Sequence, residues 1–143
     1  MIPFACAPAA FPVFRYDGQM DTVLVVEDEM AVCELAAEAL SDEGYRVLTA
    51  ADANEAEAIL EGERVDLLFT DIDLARNTNG IALAHSARRR RPDLPVVYTS
   101  GGCGSLLPNQ AVTQSVFVPK PYRPSDIVAL TNGILGRSER RPA

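Results

Sequence analysis

From Thr22 onward, two patterns of apolar and polar positions alternate along the chain. Thr22-Val23-Leu24-Val25-Val26 is a short, continuous apolar run that ends in the charged step Glu27-Asp28-Glu29. Next, Val32, Leu35, Ala36, Ala39 and Leu40 fall at i, i+3, i+4, i+7 and i+8, one face of a helix. Gly44 stops that helix where a C-terminal cap would lie. Tyr45 to Ala50 alternates as a second strand, and Ala53, Ala56, Ile59 and Leu60 mark a second helix ending near Gly62. Val65-Asp66-Leu67-Leu68-Phe69-Thr70-Asp71 is again an apolar run closed by a carboxylate, with Asp73 two residues on. Such a run suits a strand buried on both faces of a parallel sheet. Asn77 to Arg91 reads as a third helix with Leu83, Ala84 and Ala87 inward, closed by Pro92. Pro95 to Thr99 and Ser115 to Val118 read as the fourth and fifth strands. Ser125 to Leu135 is a last helix, with Ile127, Leu130 and Ile134 at helical spacing.

Strands alternating with helices at this pitch predict right-handed βαβ units, a parallel sheet and helices on both faces. Five strands fit a flavodoxin-like, doubly wound α/β sheet of order 2-1-3-4-5. One crossover is weak. Gly101, Gly102 and Gly104 with Pro108 stand where a helix is expected between strands four and five, and both residue types disfavour helix interiors. That fourth helix is expected to be irregular or marginal. Residues 1–20 differ from the rest: apolar, but interrupted by Pro3, Pro8 and Pro12 and without the basic start of a secretory signal. They read as a disordered extension, with Met20 as an alternative start. Residues 21–136 form the domain and 137–143 a flexible tail.

Composition narrows the function classes. With 13 basic against 20 acidic residues the chain carries a formal net charge of -7, which argues against nucleic acid as a main partner. The run Arg88-Arg89-Arg90-Arg91 continues the third helix and is read as its solvated, dipole-complementing last turn. Cys6, Cys33 and Cys103 form no CxxC pair and, with His85 as the single histidine, no zinc quartet. Reduced thiols in a cytoplasmic protein are the simpler reading; His85 is expected at the surface or half-buried. No apolar run approaches the roughly 20 residues of a spanning helix, so no membrane partner is expected.

The chemistry lies at the strand ends. In the expected sheet strands one and three are neighbours, so Glu27, Asp28 and Asp71 converge at the carboxyl edge, where open α/β sheets bind ligands. Crowded carboxylates repel, and a divalent cation relieves them. Hard oxygen ligands with positions open for water and a phosphoryl group describe a Mg²⁺ site. Asp71 would then act as a carboxylate nucleophile that accepts phosphate. Ser100 at the end of strand four offers a hydroxyl, and Lys120 after strand five a compact cation, in a chain whose basic residues are mostly arginine. Pro119 and Pro121 flank Lys120 and fix the backbone on either side.

This constellation resembles the receiver domain of bacterial two-component response regulators. The resemblance covers roughly Asp21 to Leu135 and rests on Glu27-Asp28, strand-terminal Asp71, Ser100 after Pro95-Val96-Val97-Tyr98-Thr99, and Lys120-Pro121. It implies that a histidine kinase or histidine phosphotransfer protein phosphorylates Asp71. It also implies that Glu27, Asp28, Asp71 and the backbone carbonyl of Asp73 hold Mg²⁺, that Ser100 and Lys120 bind the phosphoryl group, and that Ser100 and Phe117 form the switch. Such a protein is a phosphoacceptor with self-catalysed phosphotransfer and autodephosphorylation rather than an enzyme acting on other substrates. Two departures stand out: the acidic pair is Glu27-Asp28 where two aspartates are commoner, and position 73 is acidic. Tyr98-Thr99-Ser100-Gly101-Gly102, with Val118-Pro119-Lys120-Pro121-Tyr122, resembles single-domain regulators with a Phe-Ala-Thr-Gly motif and an altered fourth helix. Past Leu135 no output domain is expected, so action would pass through a downstream protein target, with a homodimer as one allowed assembly.

Two other readings compete. Asp71-Ile72-Asp73 also matches the paired aspartates of haloacid-dehalogenase-like phosphatases, but the later acids Asp93, Asp126 and Glu139 are isolated, and an acidic cluster precedes the nucleophile strand. A receiver fold that binds without phosphorylation is the second; every chemical part being present gives no reason to prefer it. Gly101-Gly102-Cys103-Gly104 lacks the spacing of a dinucleotide-binding loop.

Overall fold

A computed structural model describes residues 20–101 and 110–136. The elements are β1 (Thr22–Val26), α1 (Met30–Asp42), β2 (Arg46–Ala50), α2 (Ala53–Gly62), β3 (Leu67–Asp71), α3 (Gly80–Arg90), β4 (Val96–Ser100), β5 (Ser115–Pro119) and α4 (Pro124–Leu135). The five strands form one sheet in the order β2-β1-β3-β4-β5, every neighbouring pair parallel. This is the expected flavodoxin-like order. The weak helix expected between β4 and β5 falls largely on residues 102–109, outside the described residues, as do the extension up to residue 19, the tail from 137, Cys6 and Cys103.

Burial follows position in the sheet. Every residue of β1, β3 and β4 is buried, whereas the edge strands β2 and β5 are only partly so. Central strands covered on both faces have no side turned to water, hence their unbroken apolar runs. On one face Leu24, Leu68, Val96 and Tyr98 pack with Ala56, Leu83, Ala84 and Ala87 of α2 and α3. On the other, Val23, Val25, Leu67, Phe69 and Val97 pack with Cys33, Ala36 and Leu40 of α1 and Ile127 of α4.

The helix ends have identifiable causes. Gly44 takes a φ of 99°, in the left-handed region, and its N–H bonds the Ser41 carbonyl, closing α1 as expected. Asp52 caps α2 by accepting the Glu55 N–H at 2.8 Å, while Glu55 accepts the Ala51 N–H. Asn79 caps α3 through bonds from the N–H groups of Ile81 and Ala82.

Two expectations are corrected. Leu35, placed on the inward face of α1, is 57% exposed, and Cys33, Ala36 and Leu40 form the buried seam instead. The helix carries more apolar residues than the sheet covers, and the small side chains of Cys33 and Ala36 let it approach closely. The arginine run does end α3, with Arg89 and Arg90 exposed, but it is only partly solvated. Arg88 Nε donates to the Leu94 carbonyl at 2.6 Å, Arg90 pairs with Glu57 at 2.8 Å, and Arg91 donates to the Val65 carbonyl and pairs with Asp93 at 3.2 Å. Only Arg89 of the four lacks such a tie in the contacts seen, and the run serves mainly to clip α3 to α2 and to the segments entering β3 and β4. His85 is exposed, with Nε2 2.8 Å from the Gln110 carbonyl, and Cys33 is a free, buried thiol, both as expected.

Candidate functional site

β1, β3 and β5 end at the same edge of the sheet and deliver their next charged residues to one place. Glu27 follows β1 directly, its N–H bonded to the Ala50 carbonyl of β2. Asp71 is the last residue of β3, and Lys120 follows β5, its N–H bonded to the Ser100 carbonyl of β4. Lys120 is the only lysine in the sequence. Its ammonium lies 2.8 Å from Asp71 Oδ2 and 2.7 Å from Glu27 Oε1, bridging two acids that are each 5% exposed. The Lys120–Pro121 peptide bond is cis.

The electrostatics reflect this crowding. Burial pushes the Glu27 carboxyl above its ordinary value, against the Lys120 contact and the Glu29 N–H that Oε2 accepts at 3.0 Å; the charge of Asp71 pushes the same way as burial. Burial works against the charge on Lys120, but the bonds to Asp71 and Glu27 outweigh it and hold the ammonium above its usual range. Tyr122, whose ring meets Phe69 edge-on at 5.6 Å, has its hydroxyl pushed up to about 12 by burial and then by Glu27.

The remaining site residues are placed as follows. Asp28 is exposed, and carboxylate oxygens of Glu27, Asp28 and Asp71 lie within 4.8 Å of one another. Asp73 is also exposed; its backbone N–H donates to Asp71 Oδ1 at 3.2 Å, so the loop after β3 wraps directly over the Asp71 carboxylate. Ser100 is buried at the end of β4. Phe117 lies two residues before Pro119 on the edge strand and is 37% exposed. The structure therefore gathers Glu27, Asp28, Asp71 and Lys120 tightly, sets Asp73 and Ser100 beside them, and leaves Phe117 on the flank.

Three hard carboxylates with one exposed edge fit a divalent cation of the Mg²⁺ class: the donors are all oxygen, and Asp28 faces water.

Sequence reading missed three residues. Thr99 is paired in register with Asp71 across β3 and β4, and its hydroxyl is buried with no hydrogen-bond partner. Gly80 opens α3 directly against the Asp71 carbonyl. Asp52 is buried at the start of α2 and pairs with Arg76 of the loop after β3. The spacing of Asp52 and Glu55 matches a capping pair and could have flagged the last; nothing local marks the first two.

Comparison with known proteins settles the family. The model of the response regulator receiver domain matches residues 23–132. The chain belongs to the response regulator receiver family. It is 30% identical over 126 residues to the probable transcriptional regulatory protein TcrX of Mycobacterium tuberculosis, covering 87% of this chain and 53% of that protein. A response regulator receiver protein from Sinorhizobium medicae superimposes with a TM-score of 0.76 at 25% identity, over 82% of this chain and 96% of that one. The receiver domain of the hybrid histidine kinase CckA gives 0.64 at 35% identity, over 81% and 97%. The chain thus spans about half the length of the curated relative. Receiver domains of two-component response regulators serve in general as phosphorylation-dependent switches. No helix among the described residues of this receiver domain is long and apolar enough to cross a membrane.

Proposed function

We propose that this receiver domain accepts a phosphoryl group on Asp71 from a histidine kinase or histidine phosphotransfer protein in a Mg²⁺-dependent reaction. The observation that carries the reading is the Lys120 ammonium held 2.8 Å from Asp71 Oδ2 beside the Glu27–Asp28 pair. Glu27, Asp28, Asp71 and the backbone carbonyl of Asp73 would hold the cation, which when bound offsets the negative charge that builds up as an anionic phosphoryl group meets a carboxylate.

The chain's own groups do the rest. Asp71 Oδ2 attacks phosphorus and the bond from the donor's nitrogen to phosphorus breaks, its electron pair returning to the imidazole. Lys120 already contacts the attacking carboxylate and is held protonated, so it is placed to pair with a phosphoryl oxygen. Ser100 supplies a hydroxyl from the end of β4, and Phe117 on β5 responds to its movement. The protein works as a phosphoacceptor that catalyses its own transfer and hydrolysis. An open groove of about 440 Å³, lined by Val32, Leu35, Tyr122 and Pro124, runs up to Lys120 and offers the donor an apolar approach. The exposed Leu35 belongs to this groove.

A small phosphodonor with Mg²⁺ should add one phosphoryl group to the intact mass of the wild-type chain and none to Asp71→Asn. Undiminished uptake by Asp71→Asn would exclude Asp71 as acceptor.

A further inference from the structure

The loop between β3 and α3 carries Asp73, and it is tied down at the start of α2. Arg76 and Asn77 both sit in the left-handed backbone region, with φ of 57° and 58°. Asparagine tolerates that region; arginine seldom adopts it unless its surroundings hold it there. Two contacts with the first turn of α2 do so. Arg76 Nε lies 3.0 Å from Asp52 Oδ2, and Thr78 Oγ1 accepts the Ala53 N–H at 3.1 Å while donating to the Ala75 carbonyl at 2.7 Å.

Asp52 is built for this task. Its side chain is 3% exposed, one oxygen caps α2 through the Glu55 N–H, and the other meets Arg76. The pair is screened on one side only, since Arg76 is 62% exposed over the buried Asp52. It determines where the loop sits. Asp73 and Asn79 form an antiparallel bridge, and Leu74 N–H bonds the Thr78 carbonyl, so the segment from 73 to 79 is a small closed hairpin. A hairpin gripped at Arg76 and Thr78 cannot tilt without moving Asp73, whose N–H is already bonded to Asp71 Oδ1.

We propose that the Asp52–Arg76 pair, with the Thr78–Ala53 bond, is a positioning device that sets the Asp73 carbonyl and thereby the Mg²⁺ affinity of the site. The proposal rests on the metal reading above. Arg76 and Asp52 touch neither the cation nor the phosphoryl group; they act through the loop, as partners behind a ligand commonly do.

The test is calorimetric titration of the full chain with Mg²⁺ alone, together with the Mg²⁺ dependence of phosphorylation by a small phosphodonor. Wild type should bind, and Asp28→Asn should not; no binding by wild type overturns the metal reading and this proposal with it. Given binding by wild type, Arg76→Ala and Asp52→Asn should each weaken affinity by about tenfold, and the double variant no further, since both break one contact. Arg76→Lys should recover most of the loss. The Mg²⁺ midpoint of phosphorylation should shift while the rate at saturating Mg²⁺ is retained, whereas partial unfolding would lower the plateau instead. If Arg76→Ala does not fold, Thr78→Val, which buries no unpaired charge, should shift the midpoint in the same direction. Wild-type affinity in Arg76→Ala, or in Thr78→Val where that variant decides, overturns the positioning role.

Discussion

Gly80 and Asp71 are in direct backbone contact. A Cβ on Gly80 would come 2.0 Å from the Asp71 carbonyl oxygen and 2.9 Å from Thr70 Oγ1, while the Gly80 N–H donates to the Ile72 carbonyl at 2.8 Å. The start of α3 is thus pressed onto the end of β3, and only a residue without a side chain fits. Gly80→Ala should cost about 1–3 kcal/mol by overpacking and slow phosphorylation of Asp71. Thermal denaturation and phosphodonor kinetics on the same variant check both. Wild-type values would mean that α3 can retreat freely.

Lys120 holds together two buried acids, so its removal leaves like charges face to face. Lys120→Met should lower stability at pH 7 by about 3 kcal/mol. The sign of the pH effect follows from Glu27, whose folded pKa is raised above 4.5. A group raised on folding contributes stability below its unfolded value and loses it as pH rises through the folded one. Without Lys120 that value rises further, so the deficit against wild type should be full at pH 7 and shrink as pH falls toward 4.5. Denaturant melts across that range measure it; a deficit independent of pH would point to lost packing instead.

Asp73 presents an exposed carboxylate on the backbone that binds Asp71 Oδ1. Such a group can take a proton from water attacking the phosphoryl group. Asp73→Asn should lengthen the phosphoryl lifetime by about threefold or more. Decay of label from the purified phosphoprotein reports it, and an unchanged rate would show that the side chain stays clear of the attacking water.

Tyr98 is fully buried on β4, and its hydroxyl accepts the Val112 N–H at 3.1 Å. Burial raises its pKa above 10.0, although the Val112 bond and the charge of Arg88 pull it down. The folded state therefore holds this proton more tightly, and stability falls as pH rises from 10 through the folded value. Tyr98→Phe should lose about 1–3 kcal/mol at pH 7 for the unpaired Val112 N–H and show a shallower decline above pH 10. Parallel slopes for the two proteins would remove Tyr98 from the alkaline transition.

The sequence by itself determined the elements, their order in the sheet and the convergence of Glu27, Asp28, Asp71 and Lys120. Runs such as Leu67-Leu68-Phe69 reveal double burial, helical spacing reveals each covered face, and parallel connectivity then sends every strand end to one edge. Tertiary structure decided what depends on distances between elements. Which of several apolar stripes α1 buries was settled by close packing of Cys33 and Ala36, which turned Leu35 outward. Whether Arg88, Arg90 and Arg91 meet water or carbonyls depends on how near α3 lies to α2 and the strand starts. That Gly80 admits no side chain, and that Asp52 on one turn grips Arg76 on another, leaves no periodic trace, because each is a single contact between residues that no helical or strand period relates.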